Sequence, residues 1–248
     1  MFKHQGEQRT AKHNLNLATL LSTVAGMVNV TGFLSLHRLT TNVTGHFAFF
    51  IDGISRWELW QGSIYLLYIL SFLFGSFISS GLMELTNIRR RINIYMLPAL
   101  LEALVLILVP ILVNLLPSPS PDLIACLLLF AMGVQNSFVT KISDAVVRTT
   151  HLTGLFTDLG IELSHILFRK KILDRKKILT NIKLRLYIIW FFFLGGILGG
   201  ILYGQIAFNA LTVAAALLIF GLIYNWLKLD KIKDSVAKRE IMDKRSLS

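Results

Sequence analysis

The sequence predicts an all-α membrane protein: six transmembrane helices forming two inverted three-helix repeats. Each repeat carries a short re-entrant or interfacial helix after a Thr-Gly motif. Three observations lead there. The 248 residues are 54% hydrophobic and 16% charged, with a mean hydropathy of +0.63, whereas a soluble domain is about 25% charged. The apolar residues fall in uncharged runs long enough to cross a bilayer. Finally, three landmarks occur twice in the same order. Ala25-Gly26-Met27-Val28-Asn29 is echoed by Met132-Gly133-Val134-Gln135-Asn136. Thr41-Asn42-Val43-Thr44-Gly45 is echoed by Thr150-His151-Leu152-Thr153-Gly154. Gly75-Ser76-Phe77-Ile78-Ser79-Ser80 is echoed by Gly195-Gly196-Ile197-Leu198-Gly199-Gly200. The separations are 107, 109 and 120 residues, the mark of an internal duplication.

Taken in order, residues 1–14 form a basic tail. Leu15 to Leu36 is uncharged and is span 1. A signal peptide would have a shorter apolar core and a small-residue cleavage site, which this start lacks. Gly45 to Trp57 reads as a short helix containing Asp52 and Arg56, too short to cross. Ser63 to Met83 is span 2, followed by the basic loop around Arg89, Arg90 and Arg91. Ile92 to Leu115 is span 3, with Pro98 and Pro110 as expected kinks and Glu102 as its one charge after Arg91. The turn Pro117-Ser118-Pro119-Ser120-Pro121 divides the halves.

Span 4 runs from Leu123 to Val139, and the second short helix from Thr153 to Phe168. The basic groups Arg169-Lys170-Lys171 and Arg175-Lys176-Lys177 come next. From Leu186 to Leu227 there are 42 residues without a charge. As one helix they would measure about 63 Å, roughly twice the hydrocarbon thickness. A fold-back near Gly204-Gln205 is therefore expected, giving spans 5 and 6. The repeats cover 15–116 and 122–227, and 228–248 is a basic tail. With both termini cytoplasmic, 23 of the 25 Lys and Arg lie inside, leaving Arg38 and Arg56. This satisfies the positive-inside rule for an inner-membrane protein. Three spans per half, an odd number, insert the halves in opposite orientations, an arrangement that recurs in secondary transporters.

The candidate site follows from the repetition. Thr44-Gly45 and Thr153-Gly154 open short helices whose N-termini carry partial positive charge. Facing one polar cavity near the midplane, they would hold a small polar or anionic solute; the same residues also serve as ordinary N-caps. Asn42, His151 and Asn136, with Asn29 and Gln135, are polar groups in or beside spans 1 and 4. They either line a wet cavity or hydrogen-bond between helices. Glu102 is a mid-span carboxylate, costly there, and either functional or paired. The glycine ridges are read as packing surfaces, span 2 against span 5. Asp158, Glu162 and His165 share one helix face, better read as a solvated face pairing with Arg169 than as a metal site.

No catalytic motif, cofactor fingerprint or metal cluster is present, so an enzyme using His46 or His151 is disfavoured. The basic balance reflects cytoplasmic loops, not nucleic-acid binding. The single Cys126 excludes an intrachain disulfide. The expected partners are the lipid bilayer and a small solute, with self-association left open. The competing reading is a non-transporting assembly or regulatory protein whose repeated motif is structural.

Across roughly residues 15–227 the chain resembles the YoaK family of bacterial multipass membrane proteins. The resemblance lies in Ala25-Gly26 with Gly32-Phe33, Asn42-Val43-Thr44-Gly45, Ala131-Met132-Gly133-Val134-Gln135-Asn136, and Val147-Arg148-Thr149-Thr150 with Thr153-Gly154. It implies an integral membrane protein and no assigned activity. Asn29 stands where that pattern has an aspartate, and His46 where it has an asparagine. A proton or cation role for the aspartate would not carry over to this chain.

Overall fold

The computed structural model describes residues 11–89, 94–168 and 175–224. All regular structure among these residues is helical: α1 Ala11–Leu36, α2 Val43–Ser55, α3 Leu59–Arg89, α4 Met96–Leu115, α5 Pro121–Ser143, α6 Leu152–Phe168 and α7 Arg175–Ile206. A 3-10 turn at Ala207–Asn209 leads into α8, residues 210–224. Most of the N-terminal tail, Arg90 and Arg91, Arg169 to Lys171 and the C-terminal tail lie outside the described residues.

Five stretches are long and apolar enough to cross a membrane. α1 and α5 are the most enclosed of them, whereas α3 and the 175–224 stretch keep most of their apolar surface outward, as helices facing lipid do. The Pro-Ser-Pro turn starts α5: Ser120 Oγ accepts from the Leu123 N–H and Pro121 occupies the first turn, where no amide hydrogen is needed. For the same reason Pro98 is accommodated in the first turn of α4, and Pro110 is the interior proline.

The 175–224 stretch breaks three residues later than Gly204-Gln205. Ala207 adopts a left-handed φ of 50°, and Asn209 restarts the chain by accepting from Thr212 Oγ1 at its carbonyl. Asn114 of α4 donates to the Asn209 side chain at 3.2 Å. The chain then returns along its own path. Gly199 lies against Met27, yet Gly221 lies against Leu20, so α8 runs antiparallel to α7.

The glycine ridges meet different partners from those expected. α3 packs against α5, and α7 against α1, not α3 against α7. A Cβ on Gly26 would sit 2.1 Å from the Phe192 carbonyl oxygen, and one on Gly133 would sit 2.1 Å from that of Phe72. Gly75 abuts Phe130 and Gly195 abuts Thr23 in the same way. Each ridge needs a glycine opposite it for the backbones to approach this closely, and that glycine is on the other half. The contacts repeat with the offsets of the sequence: Gly26 with Phe192, and 107 and 120 residues on or back, Gly133 with Phe72.

Both pairs run parallel. In the first, contacts progress from Tyr68 with Asp122 to Glu84 with Lys141, the last an ion pair at 2.7 Å. α1 and α5 are antiparallel: Leu36 packs beside Ala125 and Leu129, whereas the Leu21 carbonyl meets Gln135. Each half thus lends its first long helix to the other half, and the core Leu17, Leu21, Val28, Met132 and Phe138 fills the centre.

Candidate functional site

The short helices are held by loops that turn back along the long ones. After α1 the chain turns at His37, with φ of 52°, and folds inward until Thr40 rests on Gly32. Thr40 Oγ1 donates to the Val28 carbonyl at 3.3 Å, and Thr41 Oγ1 donates to Asn29 Oδ1 at 2.7 Å. After α5 the turn comes at Asp144 and Ala145, and Thr150 Oγ1 donates to Asn136 Oδ1 at 2.9 Å. Gln135 Nε2 donates at 2.9 Å to both Thr149 Oγ1 and the Leu21 carbonyl. The Thr41–Asn29 and Thr150–Asn136 bonds are the same bond in the two halves. Both loops reach α1, at Val28 and, through Gln135, at Leu21, seven residues or about 10 Å apart along the axis.

Around them the interior is polar. Ser22 Oγ, Thr31 Oγ1, Gln135 Oε1 and Asn136 Nδ2 are buried without a protein hydrogen-bond partner. Glu102 is fully buried in α4 and neither carboxylate oxygen is hydrogen-bonded. A charged carboxylate so placed, with no partner, would be costly.

The Thr-Gly pairs lie just inside the helices. α2 begins at Val43 and its cap is Asn42, whose side chain accepts from the Gly45 N–H at 3.1 Å; α6 begins at Leu152, and the His151 carbonyl accepts from the Leu155 N–H. Thr44 and Thr153 are therefore first-turn residues, both exposed, as are Gly154 and His151, while Gly45 rests near Leu39. The structure places α2 and α6 at opposite ends of α5. α2 packs near its Asp122 end through Tyr68, and α6 beyond Ser143; a helix of 23 residues spans about 34 Å. The loops that precede α2 and α6 are each tied to α1, through Thr40 and through Gln135, about 10 Å apart along its axis.

The two ends are furnished differently on equivalent positions. At the α2 end His46 is buried, with its Nε2 2.6 Å from the Leu39 carbonyl, and packs edge-on to Tyr68. Phe49 stacks on Tyr65 at 5.0 Å, Arg38 lies over the Tyr65 ring, and Tyr68 hydrogen-bonds Asp122. Burial holds the His46 imidazole below the ordinary histidine range, the Leu39 carbonyl opposes this and Arg38 reinforces it. At the α6 end, Arg185 donates to Glu162 at 2.9 and 3.1 Å and to Asp158 at 2.8 Å. The carboxylates of α6 thus pair with Arg185 of α7; Arg169 lies outside the described residues. The His151 imidazole, though exposed at its surface, is held below the ordinary histidine range by partial desolvation first and then by the nearby Arg148 guanidinium. Arg148 lies in the Val147-Arg148-Thr149-Thr150 stretch of the family resemblance but is not among the expected site residues, and Asn181 and Arg185 carry no motif. The one sequence signal for Arg185 is that it directly precedes the long uncharged run.

The chain is similar to the UPF0700 transmembrane protein YoaK of Bacillus subtilis (strain 168), 27% identical over 191 residues, which are 76% of this chain and 83% of that protein. No solved structure matches this chain. The family described as "Protein of unknown function (DUF1275)" matches residues 17–224, most of the chain. Its long apolar helices and this match agree: the chain is a membrane protein and belongs to the DUF1275 family.

Proposed function

We propose that the chain is an inner-membrane transporter for a small polar or anionic solute, with six spans in two inverted halves and both termini cytoplasmic. α8 is the sixth span, paired with α4 as its repeat equivalent. The solute site lies between the loops that precede α2 and α6, with Asn29 and the Thr41 hydroxyl on one side and Gln135, Asn136 and the Thr150 hydroxyl on the other. Thr44-Gly45 and Thr153-Gly154 then line the two approaches to it from opposite faces. Glu102 supplies a carboxyl group whose protonation would couple to movement. The observation that carries this reading is the duplicated Thr–Asn bond on antiparallel α1 and α5, because inverted repeats around a midplane polar site are how alternating access is built.

One observation favours the alternative, a non-transporting assembly or regulatory protein. Gln135 and Thr149 are fully enclosed and bonded to one another, as structural glue would be. The test is sided labelling in a Cys126→Ala background, with cysteine in place of Thr44 or Thr153. An impermeant thiol reagent should reach the first from outside only and the second from inside only. Labelling of both from one side sinks the inverted topology. Proteoliposomes are then screened for flux of small anions and neutral polar solutes. Flux that Gln135→Leu abolishes without lowering the melting temperature supports transport; absence of flux for every solute leaves the structural role as the better account.

A further inference from the structure

We infer that the α6 end carries an oxyanion-binding pocket, built from Arg148, Asn181 and Arg185 and specific to the second half of the chain. A cavity of about 240 Å³ opens there, with Leu155 and Leu184 on its apolar side and Asp158 at its edge. That is room for a phosphate, sulfate or carboxylate head with a few further atoms. Arg185 is fixed by three hydrogen bonds to Asp158 and Glu162. A guanidinium has five N–H donors, so two remain for a ligand in a preset orientation. Arg148 also lines the cavity and has no ion pair among the described residues. Asn181 adds an amide donor.

The carboxylates beside the cavity, Asp158 and Glu162, are both already bonded to Arg185, which leaves the Arg148 charge for an anion. The duplication provides an internal control. At the offsets of the repeat, Leu155, Asp158, Asn181 and Arg185 correspond to His46, Phe49, Gln61 and Tyr65, and Arg148 to Leu39. There the Phe49 and Tyr65 rings stack and fill the space that at the α6 end is a charged cavity. The fold does not require the pocket; these side chains make it. It stands apart from the transported solute's site, and its test reads binding alone.

The shared chemistry is a phosphate-like oxyanion, either free in solution or as the headgroup of an anionic lipid. Purified protein is titrated with inorganic phosphate and with glycerol 3-phosphate by calorimetry at about 0.15 M salt, where exposed charges are screened. It is also reconstituted in phosphatidylcholine nanodiscs with or without phosphatidylglycerol, and retained lipid is counted by native mass spectrometry. Binding should weaken about tenfold in Arg148→Ala and Asn181→Ala and be largely kept in Arg148→Lys. Lys183→Ala, an exposed cation beside Tyr187, should leave it unchanged. Binding of soluble phosphate lost with Arg148 identifies a free oxyanion. Retention of phosphatidylglycerol lost with Arg148, without soluble binding, identifies a lipid headgroup. No Arg148-dependent binding of either kind overturns the pocket, and so does equal loss in Lys183→Ala. Arg148 is exposed, so an unchanged melting temperature in Arg148→Ala separates lost binding from misfolding.

Discussion

Thr41 and Thr150 each donate one hydroxyl hydrogen bond to an asparagine that a long helix holds beside the loop. Valine has the shape of threonine without the donor, so Thr41→Val and Thr150→Val should each cost about 1–2 kcal/mol, leaving an amide oxygen unsatisfied. In a double-mutant cycle with Asn29→Leu or Asn136→Leu, the coupling should be about 0.5–1.5 kcal/mol in both halves. Melting in detergent measures it, and strict additivity would mean the bonds hold nothing. His46 gives a pH signature with a definite sign. Its folded pKa lies below the unfolded value, so the unfolded chain takes up the proton first. Stability is then flat above about pH 6.5 and falls as pH drops below it, until the native ring itself protonates. His46→Leu, which copies Leu155 of the second half, should remove that His46-linked dependence while costing about 1 kcal/mol at pH 8 through the unpaired Leu39 carbonyl. At this scale the repeated letters were legible before the structure. The pairings were not, because Thr41 bonds 12 residues back and Thr150 14 residues back, through loops whose left-handed turns at His37 and Asp144 are only weakly marked by the tolerance of His and Asp for positive φ.

Among elements, the exchanged pairs α1–α7 and α3–α5 set the tightest geometry. Gly26→Ala and Gly133→Ala both drive a methyl into a carbonyl oxygen of the facing helix, at 2.1 Å, and backbone cannot rotate aside as a side chain does. Each should lose about 3 kcal/mol or more, by similar amounts because the contacts are equivalent. Gly81 offers the contrast on the same α3. A Cβ there meets nothing within 4 Å, so Gly81→Ala should stabilise by up to about 1 kcal/mol through helix propensity. Melting temperatures of the three variants in one detergent decide it; a harmless Gly133→Ala would show that α3 and α5 do not pack this closely. The long helices were readable from uncharged runs, and the break in 175–224 from length alone. Its site slipped from Gly204-Gln205 to Ala207–Asn209 because glycine tolerates a helix in lipid, whereas Asn209 has Asn114 to bond. The ridges announced close approach but not the partner. Small residues give the distance between helices, and only the opposing glycines, Gly26 and Gly133, settle which helix is near.

At the scale of the whole molecule the recurring landmarks and the long apolar helices are written in the sequence, but the packing of α1 on α7 and of α3 on α5 is not. Local contiguity would place α1 against α3 and α5 against α7. Instead the principal partner of α1 lies beyond the Pro117–Pro121 turn, and so does that of α3. A half expressed alone therefore exposes a glycine ridge with no helix to meet it, and leaves Leu17, Leu21 and Val28, or Met132 and Phe138, without their cover. Yet the connecting turn itself contributes little: Ser118 and Pro119 lie outside any helix, and Ser120 still caps α5 after a cut before it. Split between Pro119 and Ser120, fragments 1–119 and 120–248 should each be degraded or aggregate when produced singly. Produced together, they should copurify as one species through a tag on either fragment, with thermal stability close to that of the intact chain. Gly133→Ala in the second fragment should weaken the copurification, because it disturbs the α3–α5 contact, one of the two helix pairs that cross the cut. Should the first fragment alone prove monodisperse and protease-resistant, each half would be folding on itself, and the exchanged core would have to be given up.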